Sequence, residues 1–390
     1  MNNLQWTDNN VITLLHNGAA YFPQLEAAIE NAQTEVHIEA YIFEYDSIGK
    51  KITAALIRAA QRGVSVYLLL DGFGSQYFPP EEIQRLLQTG VKVLVFRPEK
   101  FFSKLRRYRL RRMHRKVVII DAQIAFVGGI NIIDDEDNPE KLIPRFDFAV
   151  AIQGPLLISI HQSVKHLWML VAWVHFKKRW VLPITVKPTI QAYGNQKAAF
   201  IIRDNWRHRH DIEHAYLAAV NQAQNEIIIA NAYFLPGRTF SHALKRAARR
   251  GVTVILLLQG RVEYRLQHHA TQALYENLLQ AGIKIYEYQR SYMHAKVAVI
   301  DRHWSTVGSS NIDPFSLLLA REANIVIENQ QFSDELRTQL LTAVAQESIF
   351  ITPTDKKLFS WRKYAINWLS FYIVRMMQSI LGYDWYDTSS

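Results

Sequence analysis

The 390-residue chain repeats itself, and a repeat of this length limits it to two copies of one supersecondary plan. Residues 86–93 recur almost unchanged at 278–285, an offset of 282 − 90 = 192 between Gly90 and Gly282. Upstream, 59–64 is echoed at 247–252, and 35–43 resembles 226–234. The order of these blocks is the same in both halves.

Each copy reads as an apolar strand (36–43; 227–234), a helix (48–63; 240–251) and a second strand (64–70; 252–258). Gly63 and Gly251 follow a basic last turn, the signature of a helix C-terminus. A further helix and strand follow, so each half is expected to be an α/β layer structure. The expected fold is two tandem, pseudo-twofold-related α/β domains, each a mixed sheet flanked by helices. The basic, aromatic stretch 165–180 and the prolines Pro183 and Pro188 suggest domains at 1–185 and 190–350, with an aromatic and basic tail at 351–390.

The chemistry-bearing signal closes each repeat. His114, Arg115, Lys116, four apolar residues and Asp121 are matched by His294, Ala295, Lys296, four apolar residues and Asp301. The β-branched residues after each lysine favour strand, where residues two apart share a face, so each His points with its Lys. A small-residue turn and an asparagine follow, Asn131 and Asn311, each 17 residues past its histidine (131 − 114; 311 − 294). Asp147 and Glu322 then open the next apolar strand of each half.

These residue types suit phosphodiester chemistry. Two lysines and two amide donors can stabilise the charge on non-bridging oxygens without a metal. One histidine can attack phosphorus while the other protonates the leaving oxygen, with a carboxylate on the far ring nitrogen fixing each tautomer. With no cysteine in the chain, thiolate nucleophiles, disulfides and Cys-ligated zinc are excluded.

The doubled HxKxxxxD motif, with its glycine-rich turn and Asn, resembles the signature of the phospholipase D superfamily. The region 14–22, the run 39–43 and the run 114–131 look closest to the bacterial cardiolipin synthases of the short type B form. The resemblance covers roughly residues 1–350 and implies a phosphatidyltransferase that converts two phosphatidylglycerol molecules to cardiolipin and glycerol through a phosphohistidine. It implies His114 as nucleophile and His294 as acid and then base, although the near-symmetric copies do not separate the two roles by themselves. Lys116, Lys296, Asn131 and Asn311 would bind phosphate, and Asp147 and Glu322 would orient the histidines. Asp121 and Asp301 complete the catalytic motifs, but five residues past the lysine they leave the site face and read as structural. Gly129 stands where the second copy has Ser309, so a hydroxyl role at that position is in doubt. No cofactor, metal or obligatory protein partner is implied.

A formal net charge of +10 and a pI near 9.5 should draw the chain to anions. Lys104, Arg106, Arg107, Arg109, Arg111, Arg112 and Arg115, interleaved with Phe101, Phe102 and Tyr108, form a basic cluster before His114 that suits lipid headgroups or nucleic acid. The tail mixes Phe359, Trp361, Tyr364, Trp368, Phe371, Tyr372 and Trp385 with Lys356, Lys357, Arg362, Lys363 and Arg375, which suits an interfacial helix or one docked on the protein. Trp168, Trp173, His175, Phe176 and 177–180 offer a second such stretch. No run reaches the roughly 18 apolar residues of a spanning helix, and residues 1–10 lack a leader pattern. A peripheral protein on the cytoplasmic side of a bacterial inner membrane is expected, with an anionic phospholipid membrane and a phospholipid substrate as partners. His208, His210, Asp211 and His214 lack the spacing of a zinc hydrolase and read as surface residues. Two rivals stand beside this reading: a phospholipase D or nuclease that hydrolyses phosphodiesters, and a non-catalytic basic protein that binds membrane or nucleic acid.

Overall fold

The structure, a computed structural model, describes residues 4–98, 111–135, 144–176, 193–204, 206–313, 316, 320–352 and 361–380. Lys104, Arg106, Arg107, Arg109 and their aromatic neighbours, residues 177–180, and Lys356, Lys357, Phe359 and Trp385 lie outside these.

The first half contributes strands β1 (Trp6–His16), β2 (Glu35–Ala40), β3 (Ser65–Asp71), β4 (Lys92–Phe96), β5 (Val117–Ile120), β6 (Ile124–Gly128) and β7 (Phe148–Gln153). The second contributes β8 (Gln196–Arg203), β9 (Glu226–Asn231), β10 (Thr253–Gln259), β11 (Lys284–Tyr288), β12 (Lys296–Ile300), β13 (Trp304–Gly308) and β14 (Glu322–Glu328), with a short β15 (Ser348–Phe350) at the edge. All join one 15-stranded sheet in the order β15-β11-β10-β9-β12-β13-β14-β8-β1-β7-β6-β5-β2-β3-β4. Read outward from the antiparallel β1/β8 pair, the order is the same on both sides, as the sequence repeat requires.

The strands and helices expected from the repeat are present, with β2 and β9 ending at Ala40 and Asn231, a few residues short of 43 and 234. The helices Ser47–Gln61 and Arg238–Arg249 end as anticipated. Gly63 and Gly251 take φ of 93° and 92°. In each motif the glycine N–H and the next residue's N–H turn back to bond carbonyls of the last helical turn, Ala60 and Ala59, then Ala248 and Ala247.

Strand periodicity divides the core. Val117 and Ile119 face a central cluster together with Val297, Val299, Ile325 and Ile327, so this core is built by both halves at once. The intervening residues face outward: Val118 and Ile120 pack with Ile52 and Leu56 in the first half, Ala298 and Ile300 with Phe240 and Leu244 in the second. The helices Leu157–Val174 and Gln330–Glu347 also line the central core. Equivalent glutamates tie them to the sheet: Glu226 pairs with Arg337 at 2.5 and 3.0 Å, while Glu35 contacts His161, His37 (3.4 Å) and Lys165 (3.7 Å).

Asp121 and Asp301 sit at the far end of β5 and β12 from the histidines. Each opens a tight turn whose two central residues have φ between 50° and 56°, a conformation Asp tolerates better than most side chains. Each carboxylate also gathers the N–H groups that lead into the neighbouring strand: Asp121 from Gln33, Thr34 and Glu35, Asp301 from Gln224, Asn225 and Glu226, all at 2.8–2.9 Å. Replacing either by Ala leaves three backbone donors without their anion and should lower unfolding free energy by about 2–3 kcal/mol. Urea titration followed by circular dichroism would check this, with Asp121→Asn expected to lose less than Asp121→Ala.

Candidate active site

The backbone brings the two motifs together across the half boundary. Met113 bridges Arg321, and His114 donates its N–H to the Arg321 carbonyl at 2.9 Å. Phe146 bridges Met293 in the same way, and His294 donates to the Phe146 carbonyl at 2.9 Å. Each histidine therefore lies beside the residue that precedes the other half's carboxylate.

The side chains follow. His114 Nδ1 lies 3.0 Å from both oxygens of Glu322, and His294 Nδ1 lies 2.7 Å from Asp147 Oδ2. Both carboxylates are buried. With Glu322 accepting from Nδ1–H, the Nε2 of His114 is left with its lone pair. Burial lowers the pKa of both histidines. For His114 the Glu322 charge opposes the shift, whereas Lys296 and Lys116 drive His294 still lower.

Lys116 and Lys296 are buried too, and each donates to the carbonyl of its own motif histidine, Lys116 at 2.9 Å. Burial brings Lys116 down to about 7, aided by the Lys296 charge, and Lys296 down to about 8. Each lysine also depresses the histidine of the other motif, so the two copies form one electrostatic site. Asn131 shares a narrow crevice with Lys116, Ala40 and Ile42. Asn311 is buried, its amide nitrogen 3.5 Å from Ser316 Oγ.

The copies differ where their sequences do. Ser309 Oγ donates to Glu322 at 2.5 Å. At Gly129 a Cβ would stand 2.3 Å from Asp147 Oδ1, so glycine is required for Asp147 to sit as it does. Glu322 thus has a hydroxyl donor that Asp147 lacks. Burial raises Asp147 to about 7 despite the opposing charges of Lys296 and Lys116.

Several positioning residues escaped the sequence reading. Asp71 Oδ2 accepts the Met113 N–H at 2.8 Å, and Gln259 Oε1 accepts the Met293 N–H at 2.9 Å. Their signal was the polar residue that ends each apolar run, at β3 and β10. Tyr41 meets His114 edge-on at 4.5 Å, with Lys116 Nζ 4.9 Å from its ring centroid. The histidines weighed for zinc pair locally, His208 with Asp211 at 2.7 Å and His210 with Glu213 at 3.5 Å. The cluster compact enough for a metal among the described residues is Glu35, His37 and His161, where Lys165 already supplies positive charge.

Two neutral imidazoles between two lysines can bind a tetrahedral oxyanion and pass a proton across it. Tungstate should therefore raise the melting temperature most below pH 7. The shift should shrink by pH 9, because Lys116 and Lys296 lose their protons and Asp147 gains charge as pH rises through about 7 to about 8. Thermal scans at several pH values would test it, and a constant shift would count against these lysines as the anion ligands. Gly129→Ser should displace Asp147 and abolish most of the activity, while Ser309→Ala should cost about tenfold, the worth of one charge-assisted hydrogen bond.

A sequence profile described as "Cardiolipin synthase, PLD-like domain" matches residues 25–138 and 216–343, the two repeats that carry these motifs. The chain is 38% identical over 378 residues to cardiolipin synthase B of Shigella flexneri, covering 97% of this chain and 91% of that protein. The same identity and coverage relate it to cardiolipin synthase B of Escherichia coli strain K12. Among solved structures it is similar to a phosphatidylserine synthase of Haemophilus influenzae Rd KW20, with a TM-score of 0.72 over 97% of both chains at 14% identity, a likeness of fold. A repeat that carries the profile twice, and relatives matched over almost the whole length, place the chain in the cardiolipin synthase family of phospholipase D-like proteins.

Proposed function

We propose that this protein is a cardiolipin synthase, joining two phosphatidylglycerol molecules into cardiolipin with release of glycerol. The observation that carries the lipid assignment is the likeness to cardiolipin synthase B over 97% of the chain. The crossed histidine–carboxylate pairs support the chemistry.

In this mechanism His114 Nε2 attacks the phosphorus of the donor lipid and the bond to the leaving glycerol oxygen breaks. The Asp147–His294 pair supplies the proton to that oxygen. The acceptor's hydroxyl then attacks the phosphohistidine, His294 takes its proton, and the N–P bond breaks to restore His114. Two features favour this division of labour. Ser309 Oγ donates to Glu322, whose oxygens face His114 Nδ1, an arrangement that keeps the His114 proton on Nδ1 and its lone pair on Nε2. The raised Asp147 means that its pair with His294 still holds a donatable proton near neutrality. Lys116, Lys296, Asn131 and Asn311 would hold the phosphoryl oxygens.

The protein would work from one face of a bacterial inner membrane, on the cytoplasmic side. Among the described residues no helix is long and apolar enough to cross a membrane. The helix Trp361–Ile380 turns Asn367, Ser370 and Val374 inward, where Asn367 meets His269 at 2.9 Å and Val374 packs with Leu235 and Ala270. Its opposite face exposes Trp361, Leu369, Tyr372 and Met376, with Arg362 among them. Both readings of the tail thus fit one helix: it docks by a polar and apolar seam and presents aromatic and aliphatic groups to a lipid surface.

Incubating the protein with phosphatidylglycerol vesicles and following lipids by mass spectrometry should yield cardiolipin with wild type and none with His114→Ala or His294→Ala. Phosphatidic acid alone would identify a hydrolase instead, and no turnover would remove the lipid assignment. The rate should decline as pH rises above about 7, as the Asp147–His294 pair gives up its proton. Leu369→Glu with Tyr372→Glu should weaken vesicle co-sedimentation by about tenfold while the fold is kept.

A further inference from the structure

Transfer between two lipids requires somewhere to hold the second one, and a cavity of about 520 Å³ lies behind the segment that carries His114. It opens between the end of β4, the last turns of the helix Leu157–Val174, Asp204 and Trp206. Arg97, Arg111 and Arg321 line it together with Leu170, Val174 and Trp206. The last three are substantially exposed, Trp206 at 79%, and continue into the exposed side chains of Met169, Trp173 and Phe176.

The arginines are a like-charged group. Burial and the charges of Arg111, Arg321 and Arg112 together depress Arg97. Among the described residues no carboxylate forms an ion pair with Arg111 or Arg321 within 4.0 Å. The one acid in the wall, Asp204, attracts Arg321 but spends Oδ1 on the N–H groups of Trp206 and His208, at 2.8 and 3.0 Å. Guanidinium groups gathered this way, with apolar side chains in the same lining, match an anion that carries aliphatic chains.

The cavity wall is also tied to the site through the backbone. Arg321 directly precedes Glu322, which holds His114, and its backbone is bonded on both sides to 112–114: N–H to the Arg112 carbonyl at 2.8 Å and carbonyl to the His114 N–H at 2.9 Å. Arg111 and Arg321 thus flank, along the chain, the backbone that carries His114 and Glu322.

We propose that this cavity binds the phosphodiester of the acceptor, a second anionic phospholipid, with its acyl chains over Leu170, Val174 and Trp206. The inference rests on the transfer reading above and adds a place for the acceptor distinct from the histidine–lysine site. The test runs two reactions on the full chain. Exchange of the phosphatidylglycerol headgroup with labelled free glycerol needs the donor site alone; cardiolipin formation needs both.

Arg111→Gln should slow cardiolipin formation about tenfold at limiting phosphatidylglycerol, with recovery at high lipid and exchange nearly unchanged, for the loss of a charge-assisted contact. Leu170→Glu, which keeps the arginines and spoils the apolar wall, should show the same selective loss. Equal loss of both reactions, or of neither, would overturn the proposal. Normal cardiolipin formation by Leu170→Glu beside a defective arginine variant would mean a site for free phosphate or a bare headgroup, and would overturn the lipid part. Wild-type protein that performs neither reaction would sink the transfer reading itself, and this inference with it.

Discussion

Everything in the site depends on two hydrogen bonds that cross between the halves, His114 to Glu322 and His294 to Asp147. Because each imidazole takes its carboxylate from the other copy, neither half holds a complete set of groups. The joined sheet, the shared core and the short backbone bridges at Met113–Arg321 and Phe146–Met293 all serve to keep these partners within hydrogen-bond reach. A hinge between the halves would separate each histidine from the group that orients it, which explains why the sheet runs unbroken through β1 and β8.

Burying two lysines, two histidines and two carboxylates in one place is costly, and the proton affinities record that cost. Lys116 and Lys296 are pulled down toward neutrality and Asp147 is pushed up toward it. In the proposed reaction a bound phosphodiester would supply the negative charge these lysines lack, and energy withheld from the free protein would return when substrate arrives. The difference between Ser309 and Gly129 acts on the same balance. A hydroxyl beside Glu322 and none beside Asp147 separates two dyads that the repeat would otherwise make alike.

Much was legible from local rules. The paired motifs, the asparagines, the carboxylates and the C-terminal glycines of two helices all stand in the repeat, because spacing along a strand or a helix end is a short-range property. β1 and β8 were not legible: their sequences mix polar and apolar residues, and their importance comes from pairing with each other. Asp71 and Gln259 were missed for a related reason. Each looks like the ordinary end of an apolar strand until the chain returns Met113 and Met293 to its side.

The sequence by itself determined the two-copy plan, the residue types suited to a phosphodiester and their spacing within each copy, since covalent order and backbone periodicity suffice for those. Which carboxylate serves which histidine was decided only by the tertiary structure. That pairing joins residues 208 and 147 positions apart, and no local pattern encodes the antiparallel joining of β1 to β8 that brings them face to face.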